Sequence, residues 1–189
     1  MAGLLDGIMG QLGSGGLSQL SEALGVDESQ AGSAVSAALP AILAGLAHNT
    51  SNQAGAAALS SALDQHSGSI FDQLGPLLQS GGGDGAAILS HILGGSQPQV
   101  AQAVATHAGV DPSLILKLLP MLAPLVMGYL SHQKQTQNLN AGSLGELIND
   151  EHQSTAQQLP GLGGMLSQLL GGGGAGSVIS DVLGKLTGH

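Results

Sequence analysis

The chain has 189 residues, enough for one ordinary domain or two small ones with a real core. It carries three lysines (Lys117, Lys134 and Lys185), no arginine, twelve carboxylates and a formal net charge of -9; phosphate backbones and anionic lipid surfaces are held by clusters of Lys and Arg, so nucleic acid and an anionic membrane surface are excluded as expected partners. With no cysteine, disulfides, thiol catalysis and thiolate metal sites are excluded as well.

Hydrophobic residues make up 42% of the chain, yet Phe71 and Tyr129 are the only aromatics and glycine occurs 32 times. A core of Leu, Ile, Val, Met and Ala suits closely packed helices better than sheets, which favour β-branched and aromatic side chains. The expectation is an all-α fold of many short helices.

The chain opens with "MAGLLDGIMGQLGSGG". This stretch has no basic residues and places Asp6 inside its apolar part, so it does not read as a secretory signal and a cytoplasmic protein is expected. A first helix follows at about 17 to 24, with Leu17, Leu20 and Leu24 on one face, and ends at Gly25. Asp27 is placed to cap the next helix, Glu28 to occupy its first position and Gln30 to complete a capping box. Pro40 lies part-way along that second helix and is expected to kink or split it.

A connector, "NQAGAAALSSALDQHSGSIFDQLGPLLQ", reads as two short helices at about 53 to 65 and 69 to 79, broken at Ser67-Gly68. "SGGGDGA" is then expected to act as a joint. Beyond it the first pattern returns. A helix at about 98 to 108, carrying Val100 and Val104, ends at Gly109; Asp111 is the cap, Pro112 the first helical residue, and Pro124 takes the place of Pro40.

The return is in register, because an offset of 84 residues lays 5 to 48 on 89 to 132 without a gap. The identical pairs are Leu5/Leu89, Ile8/Ile92, Gly10/Gly94, Gly25/Gly109, Val26/Val110, Asp27/Asp111, Ser29/Ser113, Pro40/Pro124, Leu46/Leu130 and His48/His132. Many of them fall on turns and caps, where backbone geometry limits the choice of residue. This is the signature of a duplicated helical unit.

The duplication bears on "GVDPSLILKLLPMLAPLVMGYL", the most apolar stretch of the chain, at 109 to 130. Its counterpart, "GVDESQAGSAVSAALPAILAGLA", is rich in small and polar residues, while Lys117, Pro120 and Pro124 interrupt the apolar stretch itself. A buried core helix, with no transmembrane span, is therefore expected. Where one unit has Ala31, Gly32, Ala34, Ala37, Ala38 and Ala41, the other has Ile115, Leu116, Leu118, Met121, Leu122 and Leu125, so two outcomes are open: the central helices interdigitate large against small about a pseudo-twofold axis, or the copies drifted apart independently, each packing on its own neighbours.

"SHQKQTQNLN" reads as a polar loop leading to a helix at about 143 to 156. "LPGLGGMLSQLLGGGGAGSVISDVLGKLTGH" reads as two amphipathic pieces around a glycine run, the second with Val178, Ile179, Val182, Leu183 and Leu186 on one face. The organisation expected is a first helical repeat over 1–50, a connector and glycine-rich joint over 51–85, a second repeat over 86–133, and a polar loop with amphipathic helices over 134–189.

"MAGLLDGIMGQLG", the two "GVD" turns, "ALPAILAGLAHN", "LLPMLAPLVMGYL" and "LLGGGGAGSVISDVLGKL" together resemble the YidB-like bacterial family known as domain of unknown function 937. The resemblance covers essentially the whole chain. It implies a small all-helical fold with helix-turn-helix units that are partly homeodomain-like, and it assigns no catalytic or ligand residue.

The residues offer little chemistry. His48 and His132 are expected at helix ends, where an imidazolium meets the carbonyl dipole favourably. "GELINDEHQ" sets Glu146, Asp150, Glu151 and His152 on neighbouring turns, as a solvated face. The glycine runs at 81 to 85 and 171 to 176 lack the Gly-Lys-Ser/Thr that a phosphate loop needs. No catalytic residue, cofactor or metal site is expected.

Two functions fit. The first is a non-enzymatic scaffold that associates with itself into a homo-oligomer or larger assembly through apolar, small-residue helix surfaces, an idea prompted by a mean hydropathy of +0.27 with so few charges. The second is an adaptor that binds an apolar peptide, helix or lipid chain in a groove between the repeats. The candidate residues for either are Leu116, Met121, Leu125, Met127, Ala37, Ala41, Val182 and Leu186.

Overall fold

The computed structural model describes residues 4–13, 15–65 and 85–158, together with Gly164, Leu166, Gln168 and Leu170. Among the described residues the fold is all-α and holds no strand. In chain order the helices are α1 (Leu4–Gly13), α2 (Gly16–Leu24), α3 (Glu28–Thr50), α4 (Gln53–Gln65), α5 (Gly85–Leu93), α6 (Gln97–Ala108), α7 (Pro112–Gln137) and α8 (Ala141–Gln158), with a 3-10 turn at Gly94–Ser96 between α5 and α6. The expected helix at 69 to 79, the joint at 81 to 84 and the second C-terminal piece lie outside the described residues.

The turns form as their residues dictate. Gly25 and Gly109 both adopt left-handed backbone, at φ 71° and 68°. The amides of Val26 and Val110 then reach back to the carbonyls of Ser21 and Ala105, closing α2 and α6 in the same way. Asp27 and Asp111 cap the helices that follow, but they differ in detail. Asp27 Oδ1 accepts from the Gln30 amide at 2.8 Å, whereas Asp111 Oδ1 accepts from the Ser113 amide at 2.8 Å. The proline at position 112 has no N–H, and the cap serves the next residue along.

Two expectations from sequence need correction. Of the kink or split expected at Pro40 and Pro124, the split does not occur: α3 and α7 run unbroken through these prolines. A proline inside an isolated helix costs about 3 kcal/mol, but here Leu39, Pro40, Ala41 and Ile42 are all buried, as are Ala123, Pro124 and Leu125, so packing on every side holds the helical path. The second correction is "SHQKQTQNLN", which is not a loop from its start. α7 continues to Gln137 and ends at Asn138, a left-handed residue at φ 51° whose neighbour Leu139 donates to the Lys134 carbonyl. His132 therefore lies within α7 and not at its end, while His48 does lie in the last turn of α3.

α3 and α7 form the centre of one continuous hydrophobic core that runs from Ile8 to Leu166. They pack against each other. α6 lies against both, α5 chiefly against α7, and α8 covers α3 and α4. Each of the long helices is long and apolar enough to cross a membrane by length and composition alone, and most of each apolar window is buried within the fold. Of the small residues on α3, Ala31, Ala34, Ala37, Ala38 and Ala41 are buried; of the large ones on α7, Ile115, Leu118, Met121, Leu122 and Leu125 are buried, while Leu116 points outward with 44% of its surface exposed.

Candidate functional site

One apolar groove of about 540 Å³ opens on this body between α4 and α5, within the range of roughly 300–1,000 Å³ common for ligand sites. Gly55, Ala58, Leu59 and Ala62 line it from α4, and Ala87, Ile88, His91 and Ile92 from α5. Leu46 and Asn49 of α3 and Met127 of α7 also line it. The α4 positions follow the spacing i, i+3, i+4, i+7, one stripe about two turns or ~10 Å long. Three of those four residues are Gly or Ala, so the wall lies nearly flush with the helix backbone.

The walls are fixed by close backbone approach. A Cβ on Gly45 would sit 2.6 Å from Ile92 Cγ2 and 2.7 Å from Leu93 Cδ2, so the glycine lets α5 settle onto α3. Gly85, the first residue of α5, lies against the Pro120 carbonyl so closely that a Cβ there would overlap its oxygen. That carbonyl has no partner four residues on, because Pro124 lacks an N–H. Gly55 lies against the Asn49 carbonyl in the same way.

Polar side chains secure the same walls. Asn49 Nδ2 donates to the His91 carbonyl at 2.7 Å and to the Ile92 carbonyl at 3.2 Å, giving partners to two carbonyls in the last turn of α5. At the end of α4, Ser131 Oγ donates to the Leu63 carbonyl at 3.1 Å and Lys134 Nζ to the Ser60 carbonyl at 2.9 Å. Both donors come from α7. The groove is thus bounded by two short helices whose C-terminal turns are each tied to a long one.

Of the candidate residues from sequence that the structure describes, Met127 alone lines the groove, and it is otherwise buried. Ala37, Ala41, Met121 and Leu125 lie in the core, out of reach of another subunit in this conformation. Leu116 is at the surface, and Val182 and Leu186 lie outside the described residues. Sequence reasoning missed Asn49, the α4 stripe and the α5 face. The spacing of small residues in "GAAALSSA" was the available signal for α4, whereas nothing local marks Asn49 as a clasp for a helix 42 residues away.

Among the described residues the groove lining includes no carboxylate and no lysine, and His91 is the titratable group on it. Elsewhere Glu146 and Asp150 are exposed on α8, and His152 is partly buried, which pushes its imidazole below the usual range. No three acidic or imidazole side chains converge into a metal-binding set among the described residues. The described lining offers apolar surface with the Asn49 amide and the His91 imidazole.

A family model described as a bacterial protein of unknown function, DUF937, matches residues 6–133. No curated protein and no solved structure matches.

Proposed function

This chain belongs to the bacterial DUF937 family, and we propose that it is a non-enzymatic adaptor that holds a short apolar segment of a partner in the groove between α4 and α5. The observation that carries this reading is the trough itself: about 540 Å³ of apolar space with its walls already clamped to α3 and α7. A site formed before binding loses little conformational entropy when it is filled. The groove draws on Leu46 and Asn49 from the first proposed repeat and on Ala87, Ile88, His91, Ile92 and Met127 from the second. The matched glycine turns and aspartate caps at 25–27 and 109–111 support a duplicated unit as its origin.

The test is direct. Nile red, a neutral apolar dye, should bind the purified protein with enhanced emission, and Ala58→Trp, which fills the trough, should remove that binding at unchanged helicity. Equal binding by wild type and Ala58→Trp sinks the reading.

Self-assembly is the second reading, and one observation favours it. Leu116 is the exposed large hydrophobic among the described residues, and it shares α7 with the partly buried Leu114. Light scattering of Leu116→Glu against wild type checks it, with a shift to smaller particles as the expected result.

A further inference from the structure

We infer that the exposed start of α7 docks on the exposed start of α3 in a second copy of this chain, seating Leu116 over Gly32 with Lys117 facing Glu28. This rests on the self-assembly reading and gives it a docking site.

The two faces share one register. Positions 28, 29, 32 and 33 of α3 and 112, 113, 116 and 117 of α7 lie 84 residues apart, and each of them is exposed or half-buried. The positions between them, 31, 34 and 35 on α3 and 115, 118 and 119 on α7, are buried in the core. The same face of each long helix therefore reaches solvent over its first turns.

The two faces are complementary in shape. α7 presents Leu116, 44% exposed and the exposed large hydrophobic among the described residues. The matching position on α3 is the half-buried Gly32, where the nearest atom to an added Cβ is Leu17 Cδ2 at 3.8 Å. Ser29, Ser33 and Ser36 lie around it on the same helix, so α3 offers a shallow dent edged by hydroxyls. Helices approach to ~8–10 Å where the contact residues allow it, and a leucine seated over a glycine fills the space that the missing side chain leaves.

Charge sets the direction. The end of α2 and the start of α3 expose Glu22, Asp27 and Glu28. Lys117 is exposed on α7 and forms no ion pair among the described residues, whereas Lys134 is held by Asp64. If α7 crosses the second copy's α3 in the opposite direction, the residue after Leu116 moves towards the start of α3, and Lys117 meets Glu28. A parallel crossing would carry it towards Ser33 and Ser36 instead. Opposite charges at such a contact fix register and orientation. Because the two faces differ, the contact is heterologous, and each copy offers one face of each kind.

Sedimentation velocity of the full chain tests this. Wild type should associate as its concentration rises, while Leu116→Glu and Gly32→Gln, each at unchanged helicity, should both sediment as 18.5 kDa monomers. Mixed in equal amounts the two variants should form a dimer, since one keeps its Gly32 face and the other its Leu116 face. Lys117→Glu should weaken association about three- to fivefold, and adding Glu28→Lys should restore it. Association of Gly32→Gln at the wild-type level, or two variants that stay monomeric when mixed, overturns the docking site; loss in Leu116→Glu alone then leaves the self-assembly reading standing. No recovery with Glu28→Lys overturns the antiparallel placement, and a wild type that is monomeric at every concentration overturns the inference together with the reading beneath it.

Discussion

Lys134 Nζ lies 2.6 Å from Asp64 Oδ1, joining α7 to the end of α4 across 70 positions of sequence. The two partners are unequally placed. The lysine side chain is 14% exposed and also donates to the Ser60 carbonyl, whereas the aspartate is 68% exposed. Most of the value of the link therefore resides in the lysine, since an exposed carboxylate is well solvated without it.

Lys134→Met is accordingly expected to lower stability by about 1–2 kcal/mol, and Asp64→Asn by under about 1 kcal/mol. Urea unfolding of both variants followed by circular dichroism checks the order. Equal losses would mean that the Ser60 hydrogen bond contributes nothing.

Glycines at two positions should respond oppositely to alanine. Gly85→Ala forces a methyl group onto the Pro120 carbonyl, a backbone atom that cannot swing aside, so a loss of about 1–3 kcal/mol is expected. Gly10 lies within α1 with open space around it; there alanine should raise stability by up to about 1 kcal/mol through helix propensity. Thermal melts of the two variants provide the comparison, and Gly85→Ala should also reduce dye binding, because α5 forms one wall of the groove.

Asn49→Leu is expected to cost about 1–3 kcal/mol and to loosen α5 ahead of the rest of the fold. The substitution removes the donor to the His91 and Ile92 carbonyls while leaving α3 intact. Amide hydrogen exchange should show faster exchange over 85–93 with little change in α3. Uniform protection in both segments would place the clasp outside the energetics of the groove.

Two groups predict how stability depends on acid. Burial holds the His152 imidazole below its usual value of 6.5, so the unfolded chain takes up its proton first as pH falls. Stability from this source is intact above neutral pH and declines through the ordinary histidine range, and His152→Gln should flatten that decline. Asp111 works lower down: hydrogen bonds from Ser113 hold its carboxyl below 3.8, and the cap remains until pH falls through the carboxylate range. Asp111→Asn should reduce the sensitivity of stability below about pH 4. Urea midpoints from pH 8 down to pH 3, wild type against each variant, test both.

Local chemistry made much of the architecture readable. Glycine at 25 and 109 could be assigned to left-handed turns because few other residues tolerate that backbone, and aspartate at 27 and 111 to caps because its carboxylate reaches the free amides of a first turn. The scarcity of aromatics and the Leu/Ala periodicity pointed to helices, and the structure has only helices among its described residues.

What escaped the sequence was whatever depends on partners distant along the chain. Pro40 and Pro124 read as kinks or breaks because a proline weakens an isolated helix; burial between neighbouring helices keeps α3 and α7 continuous. Likewise Met121 and Leu125 read equally well as core or as interface, since an apolar side chain carries no mark of what will cover it, and only the placement of α3, α5 and α6 around α7 put them inside. Composition and turn residues determined the kinds of element present. The groove between α4 and α5 was decided by tertiary packing alone, because it exists only where Gly45, Gly85 and Asn49 meet helices far from them in sequence.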